Sequence, residues 1–224
     1  MLLGLFLGPV LAQLSRVLAT RDPLFSTATW RSLPSWRRVD ARLVACAGLN
    51  GVLFGLAAWR WDSPLEGSVF AAFFSVLVIV CVIDVLHARI PDRISFPAMA
   101  AGAGLVGAAT AWQRDPVRLG AVVLAAALFW GVLGVAHLIS PRGMGRGDVK
   151  LGVVLGIALG WVAPGPFAAV TAVFSAFFLA SLVGTAIGLV LWAYRRHNAP
   201  YPFGPALVLA VVAVLLASPG LLGG

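Results

Sequence analysis

The stretch Gly67-Ser68-Val69-Phe70-Ala71-Ala72-Phe73-Phe74-Ser75-Val76-Leu77-Val78-Ile79-Val80-Cys81-Val82-Ile83-Asp84-Val85-Leu86 carries one charge, Asp84, close to its end. About 20 mostly apolar residues in a helix cross a bilayer. The stretch therefore predicts a spanning helix over 67–86. Working outward, similar runs fall at 1–19, 42–59, 94–112, 118–139, 151–164, 166–193 and 205–222. The first is interrupted by Gln13, Ser15 and Arg16. The turn Pro164-Gly165-Pro166 divides the sixth from the seventh. The expectation is an all-α polytopic membrane protein with about eight transmembrane helices.

Composition agrees. Hydrophobic residues make up 61% of the 224 residues and charged residues 11%, against ~45–50% and ~25% in soluble domains. That excludes a soluble globular domain, a disordered chain and a coiled coil. The net charge of +8 does not indicate nucleic acid, because no Lys/Arg cluster has the aromatic interleaving such sites need. It reads as topology. If the loop after the first span is cytoplasmic and the spans alternate, one side holds Arg16, Arg21, Arg31, Arg37, Arg38, Arg42, Arg89, Arg93, Arg142, Arg146, Lys150, Arg195 and Arg196. The other holds Arg60, Arg114 and Arg118. This bias follows the positive-inside rule. The N-terminus lacks a basic region before its apolar run and is expected to be retained. A first span and short basic loop over 1–41 would precede an embedded domain over 42–224. Cys46 and Cys81 sit inside apolar runs and read as packed thiols.

Acidic residues are costly near a bilayer. Asp22, Asp40, Asp62, Glu66 and Asp115 fall in loops and read as solvated charge. Asp84 ends an apolar run. Asp92 follows Ile90-Pro91, where proline turns its predecessor away from helix. Asp148 lies in Gly143-Met144-Gly145-Arg146-Gly147-Asp148-Val149-Lys150, just before the sixth span. The glycines there permit a close backbone approach, with positive φ if required. Gly147 adjoins the carboxylate at the expected loop-to-helix junction. A helix N-terminus at Asp148 favours negative charge.

Two readings of Asp84 and Asp148 stand side by side. Two carboxylates on one membrane face suit aspartyl proteolysis, one ionised and accepting a proton from water, one protonated and donating to the carbonyl oxygen. Alternatively, Asp84 caps a helix or pairs with Arg89, and Asp148 N-caps a helix.

The segment Gly145-Arg146-Gly147-Asp148 resembles the GxGD signature of intramembrane aspartyl proteases. Its longer form, residues 143–152, resembles the second motif of prepilin peptidases, the type IV leader peptidases. Their first motif is matched by Ile83-Asp84-Val85-Leu86-His87-Ala88-Arg89-Ile90-Pro91-Asp92, with Pro97 beyond, and a third by Pro202-Phe203-Gly204-Pro205. The resemblance covers roughly 67–222. It implies that Asp84 and Asp148 are the catalytic pair and that no metal takes part. It implies cleavage of the short basic leader of type IV prepilin-like precursors, after a glycine, at the cytoplasmic face of a bacterial inner membrane, in a pilus, DNA-uptake or type II secretion system. Gly143, Gly145, Gly147, Lys150, Pro91, Asp92, Pro202, Phe203 and Gly204 would shape the cleft. Arg146 and Lys150 would orient the aspartates or a substrate glutamate, or stand as solvated charges.

The N-terminal region departs from the family pattern. Many members carry a large loop with two CxxC zinc-binding pairs, but here the loop spans only about 20–41 and holds no cysteine. Methylation of the new N-terminus with S-adenosylmethionine is associated with that reduced region, which puts it in doubt here. Gly8-Pro9-Val10-Leu11-Ala12-Gln13-Leu14 only faintly resembles its family counterpart.

The rival readings are a small ion-coupled transporter using the same aspartates, or a non-catalytic secretion-assembly factor. His87 and His137 are placed to titrate near the site, but lone histidines at helix ends read as structural, and His197 reads as a flank. Trp59, Trp61, Trp112, Trp161 and Trp192 suit an interfacial belt. Gly102-Ala103-Gly104 with Gly107 suggests a face for close helix packing.

Overall fold

The computed structural model describes residues 41–61, 64–87, 92–114, 116–141, 144–195 and 203–221. Seven helices lie among them: α1 (Ala41–Arg60), α2 (Pro64–His87), α3 (Asp92–Gln113), α4 (Pro116–Ile139), α5 (Arg146–Val162), α6 (Pro166–Arg195) and α7 (Gly204–Leu221). They correspond to the second to eighth expected spans. The first expected span, the basic loop and the boundary at 41 fall almost wholly outside the described residues. Helices α2, α4 and α6 each open on a proline, a position whose amide would have no helical partner anyway. On length and composition, Glu66–Leu86, Pro116–Ile139 and Pro166–Val190 can each cross a bilayer, and shorter apolar helices accompany them.

Apolar side chains cover outer as well as inner faces. Phe178 is 66% exposed and Leu189 61%, while Ala172, Val173 and Ala176 on the same helix are buried. Exposed apolar surface on this scale fits lipid rather than water as solvent. The chain is an all-helical polytopic membrane protein.

The described residues divide after His87 into two compact units. In the first, α1 packs on α2. Trp61 stacks on Phe70 with ring centroids 3.8 Å apart, and Phe74 lies beside both. Ser75 Oγ, on α2, lies 3.0 Å from both Asn50 Oδ1 on α1 and the carbonyl of Ala71. A hydroxyl shared this way ties two apolar helices together where water is scarce.

In the second unit, α5 is the central helix and packs on α3, α4, α6 and α7. Its most intimate neighbour is α4. A Cβ on Gly152 would lie 2.7 Å from Leu133 Cδ1, one on Gly156 2.6 Å from Ala126 Cα, and one on Gly160 2.5 Å from Val122 Cα. Residue numbers rise along α5 as they fall along α4, so the two helices run antiparallel. Glycine weakens a helix by about 1 kcal/mol relative to alanine, but here it brings two backbones into direct contact.

The expected small-residue face on α3 does not do this. A Cβ on Gly104 or Gly107 would meet nothing within 4 Å, and one on Gly102 would make only ordinary contact with Ile157. The α3 face packs instead through larger side chains, with Val106 joining Val122 and Ile157 in one buried cluster.

Candidate active site

Helix α5 starts five residues earlier than the apolar run suggests. Its N-cap is Gly145, in extended conformation at φ −74° and ψ 149°. Asp148 is therefore the third residue of the helix rather than its cap. Its backbone N–H donates to the Gly145 carbonyl at 3.1 Å. In return the Gly145 N–H donates to Asp148 Oδ2 at 3.0 Å. The carboxylate thus does half the work of a capping box, bending back to satisfy a donor that the helix leaves open. The expectation that Asp148 itself N-caps the helix is thus corrected: Gly145 is the N-cap, and the Asp148 carboxylate bonds back to it from the third helical position. Asp148 is 6% exposed.

The loop-to-helix junction is at Gly145, not Gly147, which lies inside the first turn of α5. No described glycine has positive φ. At Gly145 a Cβ would stand 3.2 Å from Asp148 Oδ2. Arg146 is exposed.

Asp84 lies in the last turn of α2 and is 5% exposed. It and Asp148 are the two buried acids among the residues whose burial is described. They occupy opposite helix ends, Asp84 where the helix dipole opposes negative charge and Asp148 where it favours it. Asp84 belongs to the first unit and Asp148 to the second.

Asp92 opens α3, and its carboxylate pairs with Lys150 in the first turns of α5, Oδ1 to Nζ, at 2.5 Å. The same ammonium lies 5.0 Å from the centroid of the Phe96 ring, a cation–π distance. Lys150 is thus held against α3. This partnership joins the second position after Asp148 to the end of the Ile-Pro-Asp stretch. It needs the folded packing of α3 on α5, and residue spacing alone gave no sign of it.

Phe203 is half-buried, and its carbonyl accepts the Leu207 N–H at 3.1 Å, starting α7. Gly204 is buried as the first residue of that helix. Pro91, Gly143, Pro202 and His197 lie outside the described residues. His137 is half-buried at the end of α4, with Nδ1 2.7 Å from the Met144 carbonyl oxygen. Cys46 and Cys81 are free thiols. Of the tryptophans, Trp59 and Trp192 are exposed at helix ends as an interfacial belt requires, but Trp61 is 8% exposed and belongs to the aromatic core of the first unit. Trp161 lies under Arg118, whose guanidinium carbon is 5.0 Å from the ring centroid.

The model of the type IV leader peptidase family matches residues 71–189, a span that includes Asp84, Asp92, Asp148 and Lys150. A prepilin leader peptidase/N-methyltransferase of Bacillus subtilis is 30% identical over 183 residues, covering 80% of this chain and 67% of that protein. One from Xanthomonas campestris is 31% identical over 195 residues, covering 84% and 64% respectively. One from Stutzerimonas stutzeri is 28% identical over 204 residues, covering 84% and 67%. This chain thus spans about two thirds of the length of these relatives. No solved structure matches it. With the matched segment running from within α2 to within α6, the chain belongs to the type IV leader peptidase family.

Proposed function

We propose that this protein is a leader peptidase that cleaves the short basic leader from type IV prepilin-like precursors, after a glycine, using Asp84 and Asp148. The observation that carries the reading is the burial of these two aspartates, at 5% and 6% exposure, on the two motifs through which the chain resembles the family. Burying a carboxylate costs several kcal/mol unless it is paired, hydrogen-bonded or protonated, so two acids buried on the two motifs need a reason that a solvated charge does not.

In the proposed reaction, ionised Asp148 accepts a proton from water as the water oxygen attacks the scissile carbonyl carbon. Protonated Asp84 gives its proton to the carbonyl oxygen. The resulting gem-diol collapses, the C–N bond breaks, and a proton passes to the leaving amine. One proton shared between two acids serves both steps. The Gly145 N–H and the N-terminus of α5 suit an anion at Asp148.

The basic residues Arg89, Arg93, Arg142, Arg146 and Lys150 lie in the two segments that carry the motifs. Their bias supports a cytoplasmic face for the site, in a bacterial inner membrane. The region associated with methylation precedes the described residues, and we assign proteolysis alone.

The test is co-expression with a tagged prepilin-like precursor from the same host. A mobility shift of leader size supports the proposal. Absence of a shift with every candidate precursor of that host sinks it, in favour of ion coupling or an assembly role.

A further inference from the structure

The last turn of α4 reaches across the connecting loop and holds one peptide group. The Ser140 N–H donates to the Ala136 carbonyl at 2.9 Å, and the Met144 N–H donates to the Ser140 carbonyl at 3.0 Å. Met144 is 8% exposed. The Met144 carbonyl oxygen then meets His137 Nδ1 at 2.7 Å. A carbonyl oxygen has no proton to give, so Nδ1 is the donor, and His137 carries a proton on that nitrogen.

The carbonyl of Met144 and the N–H of Gly145 belong to the same peptide group. That group is planar and rigid. Its oxygen accepts from His137, and its N–H donates to Asp148 Oδ2 at 3.0 Å. Rotating the plane to suit one bond therefore sets the direction of the other. Each bond also polarises the group in the sense that strengthens its neighbour.

We infer that His137 is a positioning residue: through the Met144–Gly145 peptide it sets the orientation of the Asp148 carboxylate. The inference rests on the proposed peptidase reading for its kinetic consequence, but its structural content stands apart from that reading. Without the ring, the peptide plane loses the bond on its oxygen side, and the Gly145 N–H points less steadily at Oδ2. The carboxylate keeps its burial but loses its aim. Misplacement of a reacting group by about 1 Å can cost ~100-fold in rate.

Two variants separate positioning from simple packing. His137→Leu keeps the bulk and removes the donor. His137→Asn is smaller, yet it can place an amide N–H near where Nδ1 stands. In liposomes, with a prepilin-like precursor, His137→Leu is expected to lower kcat between ~10- and ~100-fold with KM nearly unchanged, and His137→Asn to recover most of that loss. A second readout needs no proteolysis. With ¹⁵N-labelled histidine and ¹³C-labelled aspartate, the wild-type protein in detergent should show His137 protonated at Nδ1. The Asp148 carboxyl resonance should move in His137→Leu and return toward wild type in His137→Asn. The inference is overturned if His137 is protonated only at Nε2, or if the Asp148 resonance is indifferent to His137→Leu. It is equally overturned if His137→Leu cleaves with wild-type kcat. If the wild-type protein cleaves no precursor, the peptidase reading fails, and the resonance measurements alone decide for or against His137.

Discussion

Gly145 and Asp148 are joined by two hydrogen bonds in opposite directions, Gly145 N–H to Oδ2 at 3.0 Å and Asp148 N–H to the Gly145 carbonyl at 3.1 Å. The buried carboxylate is therefore held by the same turn that begins its helix. Folding of α5 and placement of the proposed catalytic oxygen are one event. The first glycine of the Gly-x-Gly-Asp sequence matters because the acid folds back over it.

That relationship ranks two neighbouring substitutions. A methyl group at residue 145 would stand 3.2 Å from Oδ2, so the carboxylate must give way by a few tenths of an ångström. Arg146 is exposed. Gly145→Ala is expected to lower the initial cleavage rate by ~10-fold or more. Arg146→Ala should lower it only modestly, and less at high salt. Rates on one precursor, normalised to folded protein, check the order. A dead Arg146→Ala beside a near-normal Gly145→Ala would reverse the account.

The Asp92–Lys150 pair predicts coupling rather than a large loss. Their side chains are 58% and 34% exposed, so each single substitution should cost roughly 0.2–1 kcal/mol of stability. In a double-mutant cycle with Asp92→Asn and Lys150→Met, the second change should cost little once the first is made. Thermal unfolding in detergent at low and high salt measures this. Fully additive effects would mean that the two residues act separately.

Close packing of α4 on α5 predicts a sharp contrast between glycines. In Gly156→Ala the new methyl would meet the backbone of Ala125 and Ala126 at 2.6–2.7 Å, and the helices must part. Overpacking of this kind costs about 1–3 kcal/mol. In Gly104→Ala the methyl meets nothing within 4 Å, and the gain in helix propensity should leave stability unchanged or raise it by up to about 1 kcal/mol. Unfolding midpoints of the two variants give the comparison.

Much of this architecture is written in the chain. The apolar runs 67–86, 118–139 and 166–193 mark helices α2, α4 and α6 to within a few residues. Asp84 and Asp148 stand out because charge is rare there. What escaped depends on contacts between distant or folded-back segments. The start of α5 at Arg146 was hidden because two glycines read as loop, whereas the Asp148 carboxylate stabilises the turn. The stripe Gly152, Gly156, Gly160 has helical spacing visible in the sequence, but equal spacing occurs in many apolar helices. Only its match to Ala121, Ala125 and Phe129 on α4 gives it meaning. Trp61 follows Trp59 by two residues, yet the one stacks in the core and the other faces outward. Position near a helix end does not distinguish them. The role of His137 depends on Met144, seven residues on, lying back against the end of α4.

The most direct test of the central claim is the cleavage rate of Asp84→Asn and Asp148→Asn on a prepilin-like precursor, at equal abundance of inserted protein. Asparagine keeps the size of each side chain and removes its acid–base chemistry. The account predicts that each variant alone falls below about a hundredth of the wild-type rate, because neither acid can take over the other's proton transfer. Normal processing by either variant would contradict it and remove that aspartate from the catalytic pair.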